Sequence, residues 1–438
     1  MSTGQISAIQ MKNRNILFTI CFISSLVGGT VSTLMAVYLP VAVKDLLAPA
    51  DATHFDNISA SISAVFIFGW MAGGIIWGIL CDSIGRKRSF IYATACYGLF
   101  TLVTALAPSW GLVVVSRFFS GFGIGGVLVI TTLLVSEGYP EGRRAVLLGI
   151  LSISIPMGIF SAGLINYFIP YWRFAFVVGV VPLLLAALAA LFFTETAPGR
   201  EVAGARASRM GVNLSSLFSR QNGQNLLVGS LIFGAALIGL WAAFSWLPSW
   251  IQGLVTGPGL PGQPASDGQK ERGIAMMLMG GGGLIGGFFS GWIVNAINVK
   301  RTLLVCFSVS FILSFFLFRL SVQLSFLVYA QIAIISFFFG VSQGALSVYI
   351  PDLFPAGVRA TGTGFCFNMG RFFTAVAVFF IGSLVEWLGG YGNAIFWFSF
   401  VFLAGFVITL LARTIPHSPV ADDALAGSHQ PISSSSIT

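Results

Sequence analysis

Charge is what this sequence has least of. Only 8% of its 438 residues are Asp, Glu, Lys or Arg, against about a quarter in ordinary soluble domains. With 56% hydrophobic residues and a mean hydropathy of +0.92, too few polar side chains exist to cover a water-facing surface. A soluble globular protein is excluded. Histidine is scarce as well: His54, His417 and His429 lie in loops or the tail, and no metal-ligand spacing, nucleotide loop or acid cluster accompanies them. An enzyme, a cofactor and a bound metal are therefore not expected. The five cysteines (Cys21, Cys81, Cys96, Cys306, Cys366) fall inside or beside apolar runs, where they pack and do not build a disulfide framework. No cleavable leader is expected, because Lys12 and Arg14 precede an apolar run that is too long for one and lacks a cleavage site.

What the chain does have is long apolar runs. A hydrocarbon core of about 30 Å takes roughly 20 helical residues, and runs of that length lie near 15–40, 59–80, 89–107, 111–134, 145–168, 173–194, 226–251, 273–297, 302–320, 324–350, 360–386 and 393–413. Twelve spans of an all-α membrane protein follow, because lipid leaves the backbone to satisfy itself within helices. The short alternating segments of a β-barrel are missing. With the N-terminus in the cytoplasm, fifteen Lys and Arg fall on inside segments. Only Lys44, Arg173, Lys270, Arg272 and Arg319 fall outside. That asymmetry puts both termini in the cytoplasm of a bacterial inner membrane. The expected division is a cytoplasmic N-terminus (1–14), a six-helix bundle (15–194), a cytoplasmic central loop (195–225), a second six-helix bundle (226–413) and a disordered cytoplasmic tail (414–438).

The two bundles read as duplicates. AGGIIWG at 72–78 returns as IGGFFSG at 285–291, and DSIGRKR at 82–88 as NAINVKR at 295–301, each 213 residues on. EGYPEGRRA at 137–145 returns as DLFPAGVRA at 352–360 at an offset of 215. YLP, closing span 1 at Pro40, returns as WLP, closing span 7 at Pro248, at an offset of 208. Six spans per copy give both copies the same orientation: a parallel repeat about an axis along the membrane normal. Gly74 and Gly78 in span 2, and Gly283, Gly287 and Gly291 in span 8, are spaced by four, which lines one helix face with small residues for close packing.

GILCDSIGRKR at 78–88 lies between spans 2 and 3 and fits G-x-x-x-D-x-x-G-R-K/R. With two parallel sixes and a long central loop, it resembles the major facilitator superfamily of secondary transporters over residues 15–413. RFFSGFGIGG, carrying Arg117, Gly121 and Gly125 in span 4, is similar to that family's second motif. EGYPEGRR, DLFPAGVRATGTG and FCFNMGR resemble its metabolite and organic-acid symporter branches. The resemblance implies the major facilitator fold, with spans 1, 4, 7 and 10 lining a cavity, and a cytoplasmic ionic latch between the halves made with Gly78, Asp82, Gly85 and Arg86. The plain alternative for the cations is a topology-setting, snorkelling role. In the second copy Asn295 replaces the acid, Asn298 the glycine and Val299 the arginine, so the halves should not lock equally.

Two cations remain inside spans, where desolvation is costly and function is the default reading. Arg371 lies twelve residues after Arg359 at the inside end of span 11, a rise of about 18 Å that places it near mid-bilayer. No acid occupies the middle of any span. A guanidinium facing a wet cavity there is an anion site, its planar fork matched to carboxylate or phosphate. Otherwise it caps span carbonyls or bonds Asn368. Arg117 lies about 9 Å below the outer surface, with a substrate or a structural role open to it. Gln343 and Ser347, one turn apart in span 10, and Asn368 are further ligand candidates. So are Gln331, Ser342 and Asn166. Trp241 and Phe244 in span 7 can stack on a ring, while Trp246 and Trp250 read as interfacial anchors. Glu137 and Asp352, equivalent in the repeat, are the proton-coupling candidates, with pairing to Arg144 and Arg359 as their alternative. Pro156 and Pro182 allow bending of spans 5 and 6.

The leading expectation is a monomeric secondary transporter taking up a small organic anion, a carboxylate metabolite, with protons. Proton coupling comes from the family resemblance. The competing expectations are a sugar or polyol symporter, to which TETAPGR after span 6 has a loose likeness, and a metabolite or drug efflux antiporter. A nontransporting sensor would carry a large soluble extension, and a nucleic-acid partner is not expected, since the +8 net charge is explained by topology.

Overall fold

The computed structural model describes residues 3–48, 54–193, 218–256, 268–321, 323–355 and 358–412. Among these residues there is no strand, and twelve helices are long and apolar enough to cross a bilayer. Spans 1 to 6 are Arg14–Leu46, Phe55–Ile84, Arg86–Leu106, Trp110–Gly138, Val146–Phe168 and Trp172–Phe192. Spans 7 to 12 are Asn222–Val255, Gln269–Ile297, Val299–Leu320, Phe326–Asp352, Thr361–Leu388 and Tyr391–Leu411. Most of the central loop and the whole segment 414–438 lie outside the described residues.

Four helix ends differ from the sequence reading. The first helix begins at Thr3, because no proline interrupts residues 3–39. Pro40 and Pro248 do not close their spans: both lie inside helices, which run on to Leu46 and Thr256. The missing N–H deprives only the Ala36 and Phe244 carbonyls of a donor, too little to end a helix packed on all sides. Span 8 starts at Gln269, after the left-handed Gly268 (φ 69°). Arg272, expected in an outside loop, is therefore inside the helix and 1% exposed, its Nη1 donating to Gln252 Oε1 at 2.9 Å.

Spans 5 and 6 are interrupted as their prolines allow. The helix stops at Ser152 and resumes at Ser154, where Pro156 cannot donate to the Ser152 carbonyl. In span 6 a 3-10 turn over Phe176–Gly179 precedes Val180–Phe192, and Pro182 leaves the Val178 carbonyl without its usual partner.

Close packing repeats with the sequence, though not on the expected row. A Cβ on Gly73 would collide with the Phe122 carbonyl of span 4, and a Cβ on Gly286 with the Phe337 carbonyl of span 10. Gly125 fits against Trp70 and Gly74 as Gly340 fits against Gly283 and Gly287. These pairs keep the offsets of 213 and 215. By contrast a Cβ on Gly78 would have only Val129 at 4.0 Å, and one on Gly287 or Gly291 would meet nothing within 4 Å. The contact row of span 2 is one residue earlier than the motif row.

The halves meet along two seams, span 2 on span 11 and span 5 on span 8. At the membrane face away from the start of span 1, here the distal face, the seams are sealed. Tyr391 Oη donates to Asp56 Oδ1 at 2.6 Å, Ser383 Oγ to Asn57 Oδ1 at 2.9 Å and Gln269 Nε2 to the Asn166 carbonyl at 2.7 Å. Gly163 and Gly273 leave room for backbone-to-backbone contact. Toward the terminal face, where span 1 starts and span 12 ends, a Cβ added to Gly149, Gly291 or Gly364 would meet nothing within 4 Å. The described hydrogen bonds between the halves along these seams all lie at the distal face.

Candidate functional site

Phe66, Trp70 and Gly74 follow one another at helical spacing of four, which puts them on one face of span 2. That face runs into the middle of the molecule. Trp70 packs edge-on to Phe66 (centroids 5.9 Å, 73°) and to Trp241 of span 7 (5.7 Å, 89°). The cluster therefore crosses from one half to the other. Both intramembrane arginines lie on it, at opposite edges.

Arg371 has its Cζ over the Trp70 ring, 5.8 Å from the centroid. Its Nη1 donates to the Phe367 carbonyl of its own helix at 3.4 Å, a long bond that leaves most of the fork unused. Among the described residues no carboxylate pairs with it, and none lies deeper than the first or last turn of a span. Asn368, one turn earlier, donates from Nδ2 to the Gly364 carbonyl at 2.9 Å. Its Oδ1 points at the bare Cα of Gly74 and has no hydrogen-bond partner.

Arg117 is built differently. It is 1% exposed, donates from Nη1 to the Val31 carbonyl at 3.1 Å and from Nη2 to the Ser32 carbonyl at 3.4 Å, and stacks over Phe66 at 4.0 Å. Span 1 carbonyls and an aromatic face enclose the guanidinium, and this geometry supports bracing of spans 1, 2 and 4. Trp241 is half-buried, whereas the Phe244 side chain lies outside the described residues.

The span 10 candidates are not joined to this cluster by any described contact. Gln343 has a buried Nε2 without a partner, as has Gln331 Oε1, while Ser347 is exposed with its hydroxyl on the Gly344 carbonyl at 2.7 Å. Ser342 bonds the Phe339 carbonyl. Asn166 is fully buried on the distal span 5–span 8 seam. Trp246 and Trp250 are not interfacial anchors. Both are buried in the second bundle, stacked on Tyr391 (5.4 Å) and set against Phe318 (5.0 Å).

At the terminal end, Asp82, Arg86 and Glu137 come together. Arg86 reaches Asp82 at 2.9 Å and Glu137 at 3.2 Å, and donates to the Cys81 carbonyl at 2.9 Å. Gly85 makes the turn between spans 2 and 3 with φ 95°. The described bonds of Arg86 stay inside the first half. Glu137 is held by Arg86, not Arg144, since span 4 ends beside the span 2–3 turn. Asp352 is exposed at the end of span 10 and has no ion pair among the described residues, and Arg359 bonds the Phe354 carbonyl instead.

The reading from sequence missed Phe66 and Trp70, whose only sequence signal is aromatic spacing of four in span 2. It also missed the distal contacts of Asp56, Asn57, Ser383 and Tyr391, which join the start of span 2 to the facing ends of spans 11 and 12. A small cavity near Gly239, Met279, Ser336 and Phe402 lies inside the second bundle, away from the cluster.

A family model described as Major Facilitator Superfamily matches residues 17–378. The chain is 28% identical over 327 residues to the putative niacin/nicotinamide transporter NiaP of Bacillus subtilis, covering 74% of this chain and 78% of that one. It is 24% identical over 397 residues to the cis,cis-muconate transport protein of Acinetobacter baylyi, with 88% and 91% covered. Among solved structures, the inward open xylose transporter XylE of E. coli superposes with a TM-score of 0.73 at 13% identity, covering 92% of this chain and 97% of that one.

Proposed function

Because the chain belongs to the major facilitator superfamily, and is thus a multi-pass membrane transporter of small molecules and not an enzyme, we propose that its cargo is a small organic anion, a carboxylate metabolite. The observation that carries this is Arg371: a guanidinium in the middle of span 11 with one long hydrogen bond and no carboxylate partner among the described residues. A cation at mid-membrane depth without a counter-charge is costly, and a carboxylate cargo supplies both the charge and a planar match to the fork. Relatives are named for niacin/nicotinamide and for cis,cis-muconate; niacin and cis,cis-muconate are carboxylic acids and support the same class.

The transport cycle is alternating access, with uptake coupled to protons and both termini in the cytoplasm. The terminal face, where span 1 starts and span 12 ends, is then the cytoplasmic one. Asp82 and Arg86 pair within the first half in this state, and they are released to reach across when that face closes. Asn368, Trp241, Gln343 and Ser347 are the remaining cargo contacts to test beside Arg371. Arg117 supports the site from behind Phe66. Glu137 and Asp352 are the carboxyls to test for protons.

The deciding measurement is the melting midpoint of purified protein with carboxylates, sugars or phosphate, followed by Arg371→Ala in proteoliposomes. Carboxylates should raise the midpoint, and the alanine variant should lose roughly a hundredfold in anion affinity, the cost of a buried charge-assisted pair. Stabilisation by sugars alone, or unaltered anion transport in Arg371→Ala, would end this reading. Uptake indifferent to an imposed pH gradient removes the proton.

A further inference from the structure

We infer that Trp70 is the positioning residue of the anion site: its ring holds the Arg371 guanidinium from the opposite half of the molecule and leaves the N–H edge free for the cargo. The inference rests on the anion reading above. Arg371 sits on span 11 and Trp70 on span 2, so the contact at 5.8 Å crosses the seam between the halves. An aromatic face attracts a cation at this range, and that attraction occupies none of the guanidinium N–H donors. The hydrogen bond that the fork makes among the described residues runs back to Phe367 on its own helix, so it does not tie Arg371 to span 2.

Trp70 is itself held from three sides. Phe66 and Trp241 contact its ring. Its carbonyl is clamped against Gly125 of span 4, where any added Cβ would collide with it. The residue is 8% exposed, and such a fixed ring fixes what lies on it. Preorganisation of this kind raises affinity by removing rotamer freedom before binding. It also makes one element of each half part of the same binding geometry.

The test compares Trp70→Phe, which keeps an aromatic face, with Trp70→Leu, which does not. The half-saturating concentration is read for nicotinate, cis,cis-muconate and gallate, using the carboxylate that gives the largest shift in melting midpoint. Leucine should raise that concentration about tenfold and phenylalanine less than about threefold, with Vmax changed less than KM. Equal affinity in Trp70→Leu and the unaltered protein overturns the inference, as does equal damage from both variants. Should Trp70→Leu not fold, mono-, di- and trifluorotryptophan at position 70 drain the ring face without changing its size. A stepwise loss of affinity supports the role, and a flat response overturns it. Loss of anion binding in Arg371→Ala with full affinity in Trp70→Leu removes only Trp70. Full affinity in Arg371→Ala, or no shift with any of the three carboxylates, removes the anion reading and this inference with it.

Discussion

The turn between spans 2 and 3 and the turn between spans 8 and 9 are copies of one another with different chemistry. Gly85 has φ 95° and ψ 159°, and Asn298, 213 residues later, has φ 75° and ψ 147°. Among the described residues Asn298 is the one non-glycine with positive φ, in a region that side chains rarely enter. Its Oδ1 accepts from the Lys300 backbone N–H at 3.2 Å, capping span 9. The first copy carries Asp82, Arg86 and Glu137 in contact. The second carries Asn295 and Val299 in the equivalent places, and Lys300 instead donates to the Leu410 and Ala412 carbonyls at 3.1 and 2.6 Å. Duplication preserved the backbone turn, because the helix packing on both sides requires it. The charges were free to diverge, and the ionic cluster of Asp82, Arg86 and Glu137 belongs to the first half.

The largest expected effect comes from breaking the charged copy. Arg86→Gln removes the cation that Asp82 and Glu137 share, and initial uptake in proteoliposomes should fall roughly tenfold, about 1.4 kcal/mol on the limiting step. Uptake at the unaltered rate would reduce the cluster to a topology signal. Next is the backbone itself. Gly85→Val places a β-branched side chain at positive φ and should cost about 1–3 kcal/mol, read as a lower melting midpoint. If the midpoint holds, the turn is not strained as its geometry states. The smallest effect tests the other copy: Asn298→Gly relieves about 1 kcal/mol of backbone strain and gives back a few tenths for the lost cap. A slightly higher midpoint is expected. A lower one would show that the cap outweighs the strain and that the two turns differ more than their dihedral angles do.

The positive φ at Asn298 was legible from the repeat, since Asn298 aligns with the motif glycine. Arg371 was legible as a mid-span cation from its distance to Arg359. The row of small residues was not placed correctly. Span 2 offers Gly69 and Gly73 as well as Gly74 and Gly78, and helix periodicity alone does not say which pair meets span 4. Arg272 looked like a loop charge because charge and burial rarely coincide. Only a seam between two bundles, with Gln252 within reach, encloses it.

Sequence by itself determined the helices, their number, the duplication and the placement of an arginine where lipid would otherwise surround it, because these follow from local hydropathy and chain spacing. Tertiary structure decided what each charge touches. Arg117 and Arg371 differ little in sequence, yet one is wrapped by span 1 carbonyls and the other lies on a tryptophan from the opposite half. Contacts between helices far apart in the chain depend on crossing and rotation, which no local pattern encodes.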